Sequence, residues 1–291
     1  MKIGIIGGGA IGLLLGAYLC RDHNVTIYVR RNRQKQLINE HGIFIERNSR
    51  SFPLRALLSS ELQAEDCYVV CVKQQQLGNV LHLLTRQVRQ SPVLFLQNGM
   101  GHVDLLHRIG GSVYVGVVEH GALKVADNVV AHTGAGRITV AVYHGKTAGL
   151  LAIVDNWHRD DFPVERTGDW KLLLGKKLIV NAVINPLTAL FDVVNGGIID
   201  NPDIRSLGQQ LCFEGCEVLG LDASQQWEHV QTVAMNTREN VSSMLKDIRE
   251  QRQTENEAIS GYLLKHTKKR IPYTSFVYTS IKAMEKKGLI E

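Results

Sequence analysis

Apolar positions along this chain follow two different periods, and the change from one to the other divides it. "KIGIIG" reads as a buried strand, "GGGAIG" as a turn, "AIGLLLGAYLC" as an apolar helix and "NVTIYVR" as a second, β-branched strand. Together they make a βαβ unit. "CYVVCVK" (67–73) is a further buried strand, followed by leucines at helical spacing to about Val88. Strands are expected again in "PVLFLQNG", "SVYVGVVEHG" and "RITVAVYHG", and then a helix through Trp157. Beyond Gly168 strand-like runs stop. Helical patterns take over at 169–191, 205–220, within 225–249, at 255–265 and at 274–287. The pattern predicts an α/β fold, with an N-terminal Rossmann-type doubly wound sheet (1–167) followed by a C-terminal all-α domain (168–291).

The turn after the first strand carries chemistry. Gly7, Gly9 and Gly12 match G-x-G-x-x-G between strand and helix. The first glycine permits the tight turn, the second lets backbone approach a pyrophosphate, and the third lets the helix pack close to the sheet. The phosphates then sit at the helix start, around Ala10 and Ile11, where free N–H groups and the helix dipole favour negative charge. A dinucleotide is therefore expected. The second strand ends in "YVRRNR", without the acid that usually binds a ribose 2′-hydroxyl. An arginine there suits a 2′-phosphate, so the cofactor reads as NADPH. Arg30, which closes the strand, is the first choice, and Arg31 the second. Lys73 and Asn98 sit just past the ends of two other strands, where open α/β sheets bind ligands. Asn98-Gly99 also has an ordinary turn reading.

In the all-α half, "GKKLIVNAVINPLTAL" (175–190) is apolar in nearly every direction, as a buried helix is. Yet Lys177, Asn181 and Asn185 stand at i, i+4 and i+8, on one stripe. Burying unpaired amides costs on the order of 1–3 kcal/mol each, and an unpaired ammonium more. Either Lys177 snorkels outward and the asparagines cap a neighbour, or the stripe lines a polar cleft. A lysine there can protonate a carbonyl oxygen as hydride reaches the carbon. Its neighbour Lys176 points about 100° away. Pro186 removes one helical hydrogen bond and is expected to kink the helix.

A second cluster lies in "SSMLKDIREQRQTENE" (242–257). Thr254 and Glu257 have capping-box spacing, so a helix is expected to start at Glu255. By spacing, Glu255 is a helix-start acid, and Ser242 and Ser243 are ordinary polar residues.

Composition narrows the classes. With 291 residues and 44% hydrophobic content the chain can build a sizeable core. A net charge of +5 comes from scattered Lys and Arg without interleaved aromatics, which argues against nucleic acid as a partner. The five cysteines, Cys20, Cys67, Cys71, Cys212 and Cys216, form no C-x-x-C pair and have no histidine pair at metal spacing beside them. They predict reduced thiols in a cytoplasmic protein and no metal site. Neither a signal peptide nor any segment of membrane-spanning length is expected. The leucine-rich C-terminal helices could bury a homodimer interface or an internal core.

Taken as a set, these residues resemble the ketopantoate reductase family. The resemblance spans almost the whole chain: "KIGIIGGGAIG", "VKQQQ", "LQNGMG", "KLIVNAVINPLTAL", "SSMLKDIREQRQTE", the glycine of "AISGYLL", and "IPYTS". It implies a Rossmann domain joined to a helical domain, and NADPH-dependent reduction of 2-dehydropantoate to pantoate on the way to pantothenate and coenzyme A. By resemblance, Lys177 matches the catalytic lysine and Glu255 the second catalytic residue. Asn181, Asn185 and Ser243 match substrate-binding positions. Asn98 matches one near both nicotinamide and substrate, and Arg30 and Lys73 match cofactor-phosphate contacts. The stretch 119–128 departs from the family pattern, so Glu119 and His120 receive no role. Reduction of another small 2-keto acid, or a non-catalytic NADPH-binding sensor, are the competing readings. The sensor gives no reason for Lys177, Asn181, Asn185, Ser243 and Glu255 to occur together.

Overall fold

The computed structural model describes residues 1–46, 50–87 and 91–287. It divides into two compact units, Met1–Gln97 with Leu105–Leu173, and Asn98–Asp104 with Leu174–Glu291.

The first unit begins with β1 (Lys2–Ile6), α1 (Ala10–Leu19), β2 (Asn24–Val29) and α2 (Asn32–His41). It continues with β3 (Ile43–Ile45), β4 (Ser51–Phe52), β5 (Arg55–Leu58), β6 (Cys67–Val70), α3 (Leu77–Gln87) and β7 (Val93–Phe95). After the short α4 (Val103–Leu106) come β8 (Val113–Val118), β9 (Gly121–Ala126), β10 (Val129–Gly134), β11 (Ile138–His144), α5 (Thr147–Trp157) and β12 (Val164–Arg166). The expected helical spacing after β6 runs to Gln87; Val88 lies outside the described residues.

Eight strands form one sheet in the order β12-β11-β8-β7-β6-β1-β2-β5. All neighbours are parallel except β8 and β11. Ile5 of β1 pairs with Ile27 on one side and Val69 on the other, and all three are buried. β1 has β2 on one side and β6 on the other, so the strand order reverses there. The carboxyl end of β1, where the glycine turn lies, is thus the place where such sheets receive ligands. Leu13, Leu14 and Leu15 of α1 are fully buried against this core. Each contributes roughly 1.5–3 kcal/mol by burial. A second sheet, β4-β3-β10-β9, was not expected.

The second unit is helical: most of α6 (Trp170–Phe191), then α7 (Gly197–Asp200), α8 (Pro202–Leu219), α9 (Ala223–Asn236), α10 (Ser243–Arg249), α11 (Ser260–Lys265) and α12 (Pro272–Lys287). Its core gathers Ile179, Val183, Leu187, Leu211, Cys212 and Val230. Asp169 accepts the Leu172 N–H at 3.0 Å and so marks the start of α6. The helix runs on through Pro186. α8 starts at Pro202, ahead of the expected 205, because Asn201 caps it with Pro202 in the first turn, and it stops at Gly220 in the left-handed conformation. Cys212 and Cys216 are free and buried, with Sγ atoms 4.0 Å apart.

Three expectations need correction. The units do not part at 167/168 but within α6, and the loop Asn98–Asp104 belongs with the second unit. The reason is local bonding: Met100 N–H donates to the Ala258 carbonyl at 2.9 Å, and Lys265 donates to Asp104 at 2.6 Å. Second, α6 does have the length and mean hydropathy, 1.2, to cross a membrane, but 72% of that window is buried inside the fold, as in a core helix. Third, no helix begins at Glu255. Thr254 Oγ accepts the Asn256 N–H at 3.1 Å, two residues on, and Glu257 accepts from Tyr278 Oη at 2.7 Å instead of reaching back. A single 3-10 turn, Asn256–Ala258, replaces the helix start.

Candidate active site

In the first unit the glycine turn is built as its spacing implies. Gly7 has φ +119° and donates its N–H to the Tyr28 carbonyl at 2.9 Å. A Cβ on Gly12 would stand 1.9 Å from the Gly7 carbonyl oxygen, so α1 packs against the turn as no other residue would allow. A Cβ on Gly9 would meet nothing within 4 Å. That open position at the head of α1, with no acidic residue in the helix's first turn, fits a dinucleotide pyrophosphate. Ala10 and Ile11 supply the first helical N–H groups and are half-buried.

Arg30 closes β2 and is exposed, with no ion pair among the described residues. Arg31 caps α2 and is paired with Asp127. The geometry therefore leaves Arg30 available where Arg31 is engaged. Lys73 is exposed at the end of the β6 segment, at the head of the 3-10 turn Gln74–Gln76. Glu119 pairs with Arg137 at 3.3 Å. His120 stacks on Phe162 with ring centroids 4.3 Å apart and bonds His132 at 3.1 Å. Burial, and then the neighbouring His132, push its pKa down to about 4.

In the second unit the stripe on α6 is real. Lys177 and Asn181 are half-buried and Asn185 is 7% exposed, while Lys176 is exposed. The stripe continues to Thr188, fully buried, whose Oγ1 lies 2.7 Å from the Ile184 carbonyl and 2.7 Å from Ser242 Oγ. Ser242 in turn caps α10, accepting the Leu245 N–H at 3.1 Å. Ser243, the next residue, opens α10 with its side chain exposed. The hydroxyl pair Thr188–Ser242 thus ties the Asn185 end of the stripe to the helix that carries Ser243. Sequence reasoning missed both; the signal was Thr188 falling three residues after Asn185.

Asn98 and Glu255, 157 residues apart, meet: Asn98 Nδ2 donates to Glu255 Oε2 at 3.0 Å. Gly99, with φ +72°, makes this possible, because a Cβ there would stand 2.3 Å from the Ala258 carbonyl oxygen. The turn expected at Asn98-Gly99 is present, and it sets the Asn98 side chain against Glu255. Glu255 itself is held from either side. Thr254 donates both its N–H and its hydroxyl to Glu285 Oε1, at 2.9 and 2.7 Å. Asn256 Nδ2 donates to the Tyr278 carbonyl at 2.9 Å. Two residues of α12 therefore fix the backbone around this carboxylate. His102 is fully buried, and burial pushes its pKa down to about 4, so it is neutral at pH 7.

The second unit thus offers an amine, a row of amides and a carboxylate locked to an amide. The first offers a seat for a dinucleotide. The family models described as "Ketopantoate reductase PanE/ApbA" and its "C terminal" counterpart match residues 3–145 and 169–285. The chain belongs to the ketopantoate reductase family. It is 42% identical over 293 residues to a 2-dehydropantoate 2-reductase of Bacillus subtilis, covering 98% of each chain. It is 32% identical to one of Listeria monocytogenes, over 98% of this chain and 97% of that one. A crystal structure of the probable 2-dehydropantoate 2-reductase from Bacillus subtilis superposes with TM-score 0.89, at 41% identity over 98% of this chain and 100% of that one. D-mandelate dehydrogenase with NADH and anilino(oxo)acetate shares the fold, with TM-score 0.91 at 23% identity over 99% of each chain.

Proposed function

We propose that this chain reduces 2-dehydropantoate to pantoate with NADPH, a step toward pantothenate and coenzyme A. The observation that carries the reaction is its end-to-end likeness to 2-dehydropantoate 2-reductases. NADPH, when bound, supplies the hydride. The chain's own residues do the rest. Gly7, Gly9, Ala10, Ile11 and Gly12 seat the pyrophosphate, Arg30 meets the 2′-phosphate and Lys73 adds a second phosphate contact. Lys177 gives its proton to the keto oxygen as charge builds there. Asn181 and Asn185 grip the hydroxyl end of the substrate, Ser243 its carboxylate end. Glu255, oriented by Asn98, holds and aligns the substrate, and Asn98 also serves the nicotinamide side.

The half-buried placement of Lys177 in register with two amides supports this assignment over a snorkelling lysine. The reading also places the chain in the cytoplasm. It leaves Phe213, Tyr273 and Phe276, which are 39%, 40% and 67% exposed, as apolar surface on which a homodimer would form.

Steady-state assays test the reaction: the chain is expected to oxidise NADPH with 2-dehydropantoate and release one pantoate per NADPH. A folded, NADPH-binding chain with no turnover would sink the reading. The cofactor choice has its own test. A charge-assisted contact to a phosphate contributes about 1.5–3 kcal/mol. Arg30→Ala is therefore expected to raise the NADPH dissociation constant on the order of tenfold to a hundredfold. NADH binding should hardly change. Equal losses for both cofactors would refute the 2′-phosphate contact.

A further inference from the structure

The carbonyl of Gly8, in the middle of the glycine turn, is held by two side chains from outside it. Gln34, on α2 and 4% exposed, donates from Nε2 at 2.8 Å. Lys124, on β9, donates from Nζ at 3.1 Å. The second proton of Gln34 Nε2 goes to the Asp127 carbonyl at 2.7 Å, so both amide donors are used. Asp127 anchors the lysine through Oδ1 at 3.1 Å and also takes Arg31. Burial works against ionising Asp127, but Lys124 and Arg31 outweigh it and hold its carboxyl below the usual carboxylate range. The anchor is therefore charged at neutral pH.

A peptide unit is planar and trans, so the Gly8 carbonyl and the Gly9 N–H point in opposite directions. Fixing the first fixes the second. Among the described residues nothing accepts from the Gly9 N–H, and the space a Cβ on Gly9 would enter is open. Gly8 faces the other way: a Cβ there would stand 2.6 Å from Gln34 Nε2.

We infer that Gln34 and Lys124 are positioning residues for the cofactor's pyrophosphate. By holding the Gly8 carbonyl, they aim the Gly9 N–H at a phosphate oxygen before the cofactor arrives. This rests on the reading of the glycine turn as the dinucleotide seat. It gives the β9–β10 hairpin, to which the sequence assigned nothing, a part in cofactor binding. A preorganised donor spares the ordering cost that a free peptide would pay on binding. The effect falls on the pyrophosphate, which NADPH and NADH share, and not on the 2′-phosphate, which distinguishes them.

Fluorescence titration of NADPH and NADH tests this with wild type, Gln34→Leu, Lys124→Met, Lys124→Arg and, for contrast, Arg30→Ala. Gln34→Leu and Lys124→Met are expected to weaken both dinucleotides by the same factor, on the order of tenfold, as loss of one hydrogen bond to a charged group predicts. In turnover the loss should appear in the KM for NADPH and be overcome at high NADPH. Lys124→Arg, which keeps donor and charge, should restore most of the affinity, whereas Arg30→Ala should separate NADPH from NADH. Unchanged affinity in both Gln34→Leu and Lys124→Met overturns the proposal. So does a loss confined to NADPH, which would make Lys124 a 2′-phosphate ligand. A Lys124→Arg variant as impaired as Lys124→Met, with an equal drop in urea midpoint, would reduce the contact to plain structure and overturn it too. Failure of the underlying reading looks different: the wild type would then bind neither dinucleotide.

Discussion

Lys177→Ala is expected to fold, to bind NADPH as wild type does, and to lose turnover by a factor on the order of 10²–10⁴, the usual contribution of a positioned general acid. Hydride arriving at a keto carbon leaves charge on oxygen, and without a proton donor that charge must be met by water or by neutral amides. α6 presents Lys177 half-buried, one helical turn from Asn181 and two from Asn185. The substitution should leave the helix intact, since alanine is the better helix former. On the proposed role the lysine acts mainly as charge develops, so kcat should fall far more than KM rises. Lys176→Ala is the internal control. That residue is exposed and points about 100° away, so its loss should leave kcat near the wild-type value. Full activity in Lys177→Ala would remove it from the mechanism.

Gly12→Ala is expected to abolish NADPH binding at concentrations that saturate wild type, and to lower the melting temperature. Its Cβ would lie 1.9 Å from the Gly7 carbonyl oxygen, a backbone atom that no rotamer change can move aside. Gly7 cannot yield easily, because its N–H is bonded to Tyr28 and its φ of +119° is open to glycine alone. α1 must then lift from the end of β1, loosening Leu13, Leu14 and Leu15 in the core. Overpacking of this kind costs about 1–3 kcal/mol or more. Gly9→Ala separates packing from ligand approach. With nothing within 4 Å of the new methyl it should melt like wild type, yet bind NADPH more weakly because the methyl occupies the phosphate's approach. Thermal unfolding and cofactor titration on both variants check the pair of expectations. A Gly12→Ala chain as stable and as tight as wild type would contradict them.

What the sequence made legible is what local periodicity encodes. The buried β1 and β2, the turn between Ile6 and Ala10 and the stripe on α6 all lie within a few residues of their causes. The small sheet was not legible. Its strands are two to six residues long, and β9 puts apolar Leu123 and Val125 on its exposed side while Lys124 between them turns inward to the Gly8 carbonyl, the reverse of the alternation a buried face would have shown. The surroundings of Glu255 misled for a related reason. Thr254 and Glu257 have capping-box spacing, but Thr254 is claimed by Glu285, 31 residues later. The meeting of Asn98 with Glu255, 157 residues apart, leaves no local mark: each residue was singled out separately, and nothing in the sequence joined them. The same non-local bonding moved the loop Asn98–Asp104 into the second unit.

Hydride transfer itself is tested most directly by isotope tracing. NADPH carrying deuterium at nicotinamide C4, on one face and then on the other, is oxidised by the wild-type chain with 2-dehydropantoate, and the pantoate is examined by mass spectrometry and NMR. One of the two labels is expected to appear as a single deuterium on C2 of pantoate, with one NADP⁺ formed per product. Pantoate free of deuterium from either label, or NADPH left unoxidised by a folded chain that binds it, would contradict the reaction proposed.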